Sequence, residues 1–354
     1  MTVKLHRRTG FEIELMAPQG LSRRRLAREL ADRCGGEVRP VWHQDSEPSL
    51  VPGLGRFLHL TQGFEVRRAD GDPLCTLVDD ITLHDGLDPE AQASEGRYRV
   101  LTDDRRLLHL LARQCDPGTD LSHVFDTVAR LWGVEVRRHG DIHELADVSG
   151  ATIALAAPQG GERERPCEIV TPPLTHDHAE RLEELLAPAR ELGFTVPLEA
   201  AVHLHVDGAP FRSPRTLANV VRLFGHWREP LRAILQTNPA CVRLAPLPEP
   251  LVQEADGDPT FEQLRAAATT GELTKFFDVN LTQLFAEQPL RDTVEIRILP
   301  GAITADDVLN RAAVVELLLD RCEDPSPFPL PPADPAEAVN TLLEQAAIVM
   351  ARQG

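Results

Sequence analysis

The chain has 354 residues, of which 42% are hydrophobic and 26% are charged, the usual balance of a globular protein. Its formal net charge of −18 argues against duplex DNA or an anionic membrane surface as a partner, because no dense basic stripe offsets the acidic excess. The six cysteines stand singly, and no apolar run is long enough for a signal peptide or a membrane span, so we expect a reduced, cytoplasmic protein.

The N-terminal third begins with an acidic strand and continues with one helix and a mostly antiparallel sheet. Ser22 can cap a helix that the glycines at 35 and 36 can end. Alternating and β-rich stretches then predict strands at 38–42, 57–60, 63–67 and 74–83, with a hairpin turn at 69–72.

Several helices are predicted in the remaining two thirds of the chain. Residues 104–114 and 121–131 predict two helices separated by an Asp-Pro-Gly breaker, and hence an αα insertion at about 103–133. Further helices are expected at about 177–192, 214–236, 260–271, 305–321 and 335–351. A Pro-rich connector at 324–335 leads to the last of these helices. We therefore expect a catalytic domain at 1–322, followed by the connector and helix at 323–354.

Acidic and imidazole side chains occupy alternate positions of four predicted strands. Since side chains alternate across a strand, each such pair shares a face while apolar neighbours fill the other face. Carboxylates and imidazoles gathered on one surface need a cation or a phosphate-bearing ligand to offset their charge, which indicates a site for a magnesium nucleotide. The set comprises Glu12, Glu14, Glu168, His203, His205 and Glu295, and Arg297 shares a face with Glu295.

Each motif taken singly also has a structural interpretation. Glu12 and Glu14 are equally typical of a solvated strand face, and His203 with His205 could be ordinary strand histidines or, less readily, zinc ligands. Glu295 and Arg297 suit phosphoryl transfer, but the same pair is typical of a salt bridge.

The ordered set of motifs resembles the amidoligase family. That family belongs to the carboxylate-amine ligase group, which includes glutamine synthetase and glutamate-cysteine ligase. The resemblance runs to about residue 320 and is carried by the segments 10–15 (GFEIEL), 167–174 (CEIVTPPL), 203–205 (HLH), 275–281 (KFFDVNL) and 294–301 (VEIRILPG).

The resemblance implies an α+β fold, a glutamine synthetase-like funnel of mostly antiparallel sheet backed by helices, with ATP entering at one end. It also implies roles for individual side chains. Glu14 and Glu168 would bind the metal near the acceptor carboxylate, whereas Glu12, His203 and Glu295 would bind the metal that orients the ATP phosphates. Arg297 would stabilise the transferring phosphoryl group, and Lys275, Asn280 and His205 would contact substrate or phosphate.

One departure from the family pattern concerns Asp80. Relatives carry an Asp-Gly-Ser-Leu-like strand shortly before the Glu168 motif, and the nearest match here is the segment 80–83, far upstream. Asp80 could contact substrate, or Asp79 and Asp80 could simply end a strand.

The function implied is ATP-dependent amide or isopeptide formation through an acyl phosphate, with Mg²⁺ or Mn²⁺ and small-molecule or peptide acid and amine substrates. We expect a monomer or small homo-oligomer and a mobile lid at 238–259. The absence of a Walker motif and of a Gly-x-Gly-x-x-Gly turn argues against P-loop and Rossmann enzymes. Two alternatives remain at this point: a metal-dependent hydrolase that uses the same glutamates and histidines, and a non-catalytic nucleotide-binding scaffold.

Overall fold

The structure is a computed structural model that describes residues 4–45, 58–241 and 244–353. It divides into two compact units. Unit 1 comprises Met1–Ile13, Thr171–Ala187 and Leu198–Gly354, and unit 2 comprises Glu14–Val170 and Pro188–Pro197. The domain boundary expected at residue 322 stays a prediction; residues 323–354 belong to unit 1.

Strands and helices alternate irregularly along the chain. The strands of the described residues are β1 Thr9–Met16, β2 Glu37–Asp45, β3 Leu58–Arg67, β4 Pro73–Val78, β5 Tyr98–Thr102, β6 Glu135–His139, β7 Ile142–Ala146, β8 Thr152–Pro158, β9 Pro166–Val170, β10 Ala201–Asp207, β11 Val279–Asn280 and β12 Thr293–Pro300. The α-helices are α1 Arg23–Cys34, α2 Arg105–Gln114, α3 Asp126–Trp132, α4 His178–Glu191, α5 Pro214–His226, α6 Arg228–Leu235, α7 Glu249–Ala255, α8 Phe261–Thr270, α9 Thr282–Phe285, α10 Ala305–Cys322 and α11 Pro335–Gln353.

Unit 1 contains a short antiparallel sheet in the order β11-β12-β10-β1, to which β1 contributes residues 9–13. One face of these strands is apolar and fully buried, as the alternation of the sequence requires. Helices α5, α6, α10 and α11 pack in this unit, and α5 is buried along most of its length. The opposite face carries the acidic and imidazole side chains.

The Pro-rich connector is tied to α5 by one buried amide. The Asn219 side chain donates to the carbonyl oxygens of Cys322 (3.0 Å) and Ser326 (3.2 Å), and its oxygen accepts the backbone N–H of Phe328 (2.8 Å). Trp227 lies edge-on to Phe328, with ring centroids 6.0 Å apart. The Asn219 side chain thereby provides hydrogen-bond partners for backbone groups of the connector that helices and strands do not supply.

Unit 2 contains a larger antiparallel sheet, in which residues 14–16 of β1 are followed by β9-β4-β3-β5-β8-β7-β6, and β2 pairs with β3. Helices α1 and α2 pack against β3. A core that includes Leu60, Val100 and Leu111 lies on this helix side of the sheet. The expected antiparallel sheet backed by helices is therefore confirmed.

Several predicted elements are corrected by the structure. The strands expected at 57–60 and 63–67 form the single strand β3, with residue 57 outside the described residues. The strand expected at 74–83 ends at Val78, because a turn begins at Asp79 and Asp80. The helix expected at 214–236 breaks at Trp227 into α5 and α6.

The two helices predicted at about 103–133 are present as α2 and, after a 3₁₀ turn, α3. Strands β5, β6, β7 and β8, which the sequence analysis did not predict, lie on either side of this segment and pair with one another. Strands β6 and β7 are short and partly polar, and therefore lack the strong alternation that identifies a strand from sequence.

The lid expected at 238–259 contains helix α7, whose Leu251 and Ala255 are buried in contact with neighbouring helices. Residues 242 and 243 lie outside the described residues, and the lid stays a prediction. All six cysteines are free thiols. Within the described ranges, no helix is both long enough and apolar enough to cross a bilayer; the cytoplasmic location stays a prediction.

Candidate metal centre

Strand register brings four titratable side chains of unit 1 together. Glu12 of β1 lies directly opposite His203 of β10, and His205, two residues further on, lies opposite Glu295 of β12. Residues opposite each other on neighbouring strands point to the same side of the sheet. We call Glu12, His203, His205 and Glu295 the carboxylate centre.

The distances within the carboxylate centre are short. His203 Nδ1 lies 3.3 Å from Glu12 Oε2 and 3.7 Å from Glu295 Oε1, while His205 Nε2 lies 3.1 Å from Glu12 Oε1. His203 and Glu295 are each 7% exposed, so little water reaches the two groups. Both imidazoles therefore lie against carboxylate oxygen.

A divalent cation fits these donors. One ligand atom each from Glu12, His205 and Glu295 can be chosen so that all three lie within 4.8 Å of one another. His205 Nε2 is buried and, despite its 3.1 Å separation from Glu12, forms no hydrogen bond to the described residues. Two carboxylates and an imidazole form a mixed oxygen and nitrogen set that suits Mg²⁺, Mn²⁺ or Zn²⁺.

Charge pairing keeps the carboxylates ionised. Burial alone would raise the pKa of Glu12, but the neighbouring imidazoles of His203 and His205 outweigh it, and the pKa lies well below its ordinary value. Burial likewise opposes the ionisation of Glu295, whose pKa is nevertheless lowered by Arg297 and the two histidines. Burial lowers the pKa of His205, but the interaction with Glu12 outweighs burial, so the pKa is raised overall. The carboxylate centre therefore consists of two ionised glutamates beside two imidazoles.

Three neighbours hold the carboxylates in position. Arg297, two residues after Glu295 on β12, donates to its Oε1. Asn280 lies opposite Glu295 on β11 and donates to the other oxygen at 2.7 Å. Arg291 lies 3.4 Å from Glu12 and is 62% exposed. Glu295 therefore has both oxygens oriented, as a metal-binding carboxylate commonly does.

Glu14 and Glu168, predicted to share a metal, both belong to unit 2. The Ala17 N–H donates to the Arg165 oxygen at 3.0 Å, and β1 and β9 are neighbours in the sheet. Continuing this antiparallel register places Glu14 opposite Glu168, on the same face. Glu14 is 4% exposed. The register brings this pair together, although its role as a metal site stays a prediction.

Lys275 and Asp80 have local surroundings of their own. Lys275 lies in the turn before β11, with its ammonium 5.2 Å from the centre of the Phe276 ring. Asp80 accepts the backbone N–H of Thr82 at 2.7 Å, so its side chain supports the turn that follows β4. Their substrate contacts stay predictions.

The sequence analysis missed Asp278, which stands between Lys275 and Asn280. It is 1% exposed and lies 2.6 Å from Arg228 and 3.1 Å from Arg232, both on α6. The two arginines, four residues apart on a helix, were a usable signal. Arg291 was also missed, and nothing in its polar loop distinguished it.

Comparison with known proteins agrees with the resemblance seen in the motifs. The profile of a family described as "Putative amidoligase enzyme" matches residues 5–317. None of the curated proteins compared with the chain matches it.

Proposed function

Because the chain belongs to the amidoligase family, we propose that it is an ATP-dependent ligase that joins a carboxylate to an amine. The observation that carries the proposal is the carboxylate centre, which gathers two ionised carboxylates and two imidazoles beside Arg297. We further propose the glutamine synthetase-like funnel as the arrangement of the sheet.

The reaction has two steps. An oxygen of the substrate carboxylate attacks the γ-phosphorus of ATP, so that an acyl phosphate forms and ADP leaves. The amine then attacks the carbonyl carbon and the amide bond forms. Inorganic phosphate departs with the bonding electron pair and takes up the proton that the amine nitrogen loses. Water competes with the amine for the acyl phosphate and must be kept out.

The side chains of the carboxylate centre and their neighbours in unit 1 would bind and orient the phosphates of ATP. Glu12, His205 and Glu295 would hold a divalent cation. His205 thus takes the ligand position that the resemblance implied for His203, and His203 would support both carboxylates. Bound divalent cations offset the negative charge of the phosphate groups. Arg297 carries a permanent positive charge beside Glu295 and would stabilise the transferring phosphoryl group. Asn280 would keep Glu295 from rotating.

The opposed glutamates of unit 2 would hold a cation of their own. Two carboxylates facing each other across neighbouring strands repel unless a proton or cation lies between them. We propose that Glu14 and Glu168 use such a cation to bind the acceptor carboxylate.

The proposal is tested by thermal unfolding of the full chain with Mg²⁺ and a non-hydrolysable ATP analogue, together and separately. A ligand that binds only the folded protein stabilises it by about 2.7 kcal/mol at a hundredfold excess over Kd. We expect stabilisation that requires both components and is lost in Glu295→Gln. Glu65→Gln is a matched control. Like Glu295, Glu65 forms an ion pair with an arginine two residues further along its strand, Arg67, but it belongs to unit 2.

The outcomes separate the candidate functions. Stabilisation by the pair in wild type and Glu65→Gln, but not in Glu295→Gln, supports the ligase and justifies screening acid and amine pairs for ADP release. Stabilisation by Zn²⁺ or Mn²⁺ alone, with no effect of nucleotide, would replace the ligase with the metal-dependent hydrolase. Full nucleotide binding without ADP release for any acid and amine pair would favour the scaffold.

A further inference from the structure

A second polar cluster lies in unit 2, on the side of the sheet opposite the helices. Thr61 of β3 pairs with His43 of the neighbouring strand β2 and with Arg99 of the neighbouring strand β5. His59 precedes Thr61 by two residues and shares its face. The alternate residues Leu60 and Val100 point to the other side, into the helix-packed core. We call His43, His59, Thr61 and Arg99 the arginine row.

Three atoms of the arginine row are buried without hydrogen bonds. Arg99 Nε, Thr61 Oγ1 and His59 Nδ1 are all shielded from solvent, and none of them has a hydrogen-bond partner among the described residues. Thr61 is 4% exposed and His59 is 5% exposed. An unsatisfied buried polar group costs about 1 to 3 kcal/mol, so three of them on one face call for a ligand.

Arg99 differs from Arg163 and Arg165 of unit 2 in having no carboxylate partner among the described residues. Arg163 pairs with Asp79, and Arg165 pairs with Glu162. Arg99 makes no ion pair or hydrogen bond through its guanidinium within residues 4–45, 58–241 and 244–353. A guanidinium is always charged at neutral pH and presents several N–H donors in one plane, which match the oxygens of a carboxylate or a phosphate.

The charge of Arg99 also acts on its neighbour. Burial lowers the pKa of His59 to about 4, with a further contribution from Arg99, while Asp79 opposes the shift. His59 is therefore neutral at pH 7, and it can donate from Nδ1 in one of its tautomers. An anion at Arg99 would offset the positive charge that His59 experiences.

We propose that the arginine row is an oxyanion-binding site, which takes a carboxylate or phosphate group through Arg99, Thr61 and His59. Opposite residues on neighbouring strands have Cβ atoms about 5 Å apart, so Arg99 and Thr61 can donate to one such group. The site belongs to unit 2 and uses none of the residues assigned to ATP or metal. It therefore does not depend on the proposed ligase activity.

The test is calorimetric titration of the full-length, metal-free protein with inorganic phosphate and, separately, with glutarate. We expect binding of at least one anion, weakened at least tenfold in Arg99→Gln and about fivefold in Thr61→Val, which keeps the side-chain shape but removes the hydroxyl. The matched control is Arg39→Gln, because Arg39 is an exposed strand arginine already paired with Glu37. Preference for phosphate or for glutarate identifies which oxyanion the site takes.

A second readout excludes a purely structural role for Arg99. NMR titration should show the pKa of His59 rising when the preferred anion is bound, and rising also in Arg99→Gln without ligand. Equal anion affinity in wild type and Arg99→Gln would overturn the proposal, as would equal weakening in Arg39→Gln, and so would an unchanged His59 titration at anion saturation. If Arg99→Gln fails to fold, Thr61→Val and the His59 titration of the wild type decide the matter.

Discussion

The carboxylate centre of unit 1 and the arginine row of unit 2 lie on similar antiparallel strands but treat charge in opposite ways. In the carboxylate centre, acids and bases lie within 4 Å of one another and adjust each other's pKa. In the arginine row, Arg99 has no carboxylate partner in the described residues, and burial together with the charge of Arg99 lowers the pKa of His59.

The difference shows that burial alone does not identify a ligand site. Mutually paired groups can be stable without a ligand, so the carboxylate centre needs family membership and donor geometry to support a function. Unpaired buried donors have an unmet hydrogen-bonding requirement, and this points to a ligand even where no family motif is present. The two sites therefore rest on different kinds of evidence.

The largest expected effect tests what a fully paired buried charge contributes. Asp278→Asn should lower the free energy of unfolding by about 3 to 5 kcal/mol, because Arg228 and Arg232 would lose their buried partner. Urea unfolding measures this loss. Glu229→Gln is the control: it removes an exposed partner of the same Arg228 and should change stability by less than about 1 kcal/mol. Equal effects would mean that burial of the pair is irrelevant.

A slightly smaller effect is the pH dependence of the free energy of unfolding that arises from His59 in the arginine row. The pKa of His59 is about 4 in the folded protein, against 6.5 ordinarily, because of burial and Arg99. Above pH 6.5 both folded and unfolded chains are neutral there, and stability is complete. As pH falls from 6.5 to about 4, the unfolded chain binds a proton that the folded chain does not, which costs roughly 3 kcal/mol.

Urea unfolding of wild type and His59→Gln at pH 7 and pH 4.5 measures this dependence. The wild type should lose more stability than the variant, since glutamine does not titrate. An identical loss in both proteins would show that His59 keeps an ordinary pKa and that Arg99 exerts no net field on it.

Next in size is loss of a donor from the carboxylate centre. Glu12→Gln should weaken Mn²⁺ binding by about 100-fold, because one of three converging ligand atoms loses its charge. Isothermal calorimetry measures the affinity, and Glu65→Gln serves again as the control. Unchanged Mn²⁺ affinity in Glu12→Gln would remove Glu12 from the metal-binding set.

The smallest effect concerns a residue that orients rather than binds. Asn280→Ala should weaken Mn²⁺ about tenfold, since Glu295 loses its 2.7 Å hydrogen bond but keeps Arg297. A loss as large as that of Glu12→Gln would instead make Asn280 a direct ligand. The ratio of the two effects therefore sharpens the distinction between the ligands and their supports.

Much of the candidate site was readable from the sequence because it depends on local alternation. Glu12, His203 and Glu295 were predicted on shared strand faces, and strand register places them together. The arginine row was missed because its members come from three strands with no common motif. Arg99 lies in a five-residue strand that the sequence analysis did not predict, and Thr61 falls in the gap between two predicted strands that form the single strand β3.

The sequence by itself determined which faces are apolar, where α1, α4, α8, α10 and α11 lie, and the family of the chain. Those features follow from local period, capping residues and ordered motifs. Only the tertiary structure decided the strand register, the break at Trp227, the pairing of Asp278 with α6 and the unpaired state of Arg99. All of these features depend on which residues, distant in sequence, become neighbours in the fold. For Asp278 and Arg99 in particular, the net effect of a buried charge is set by the groups around it and not by its own strand or loop.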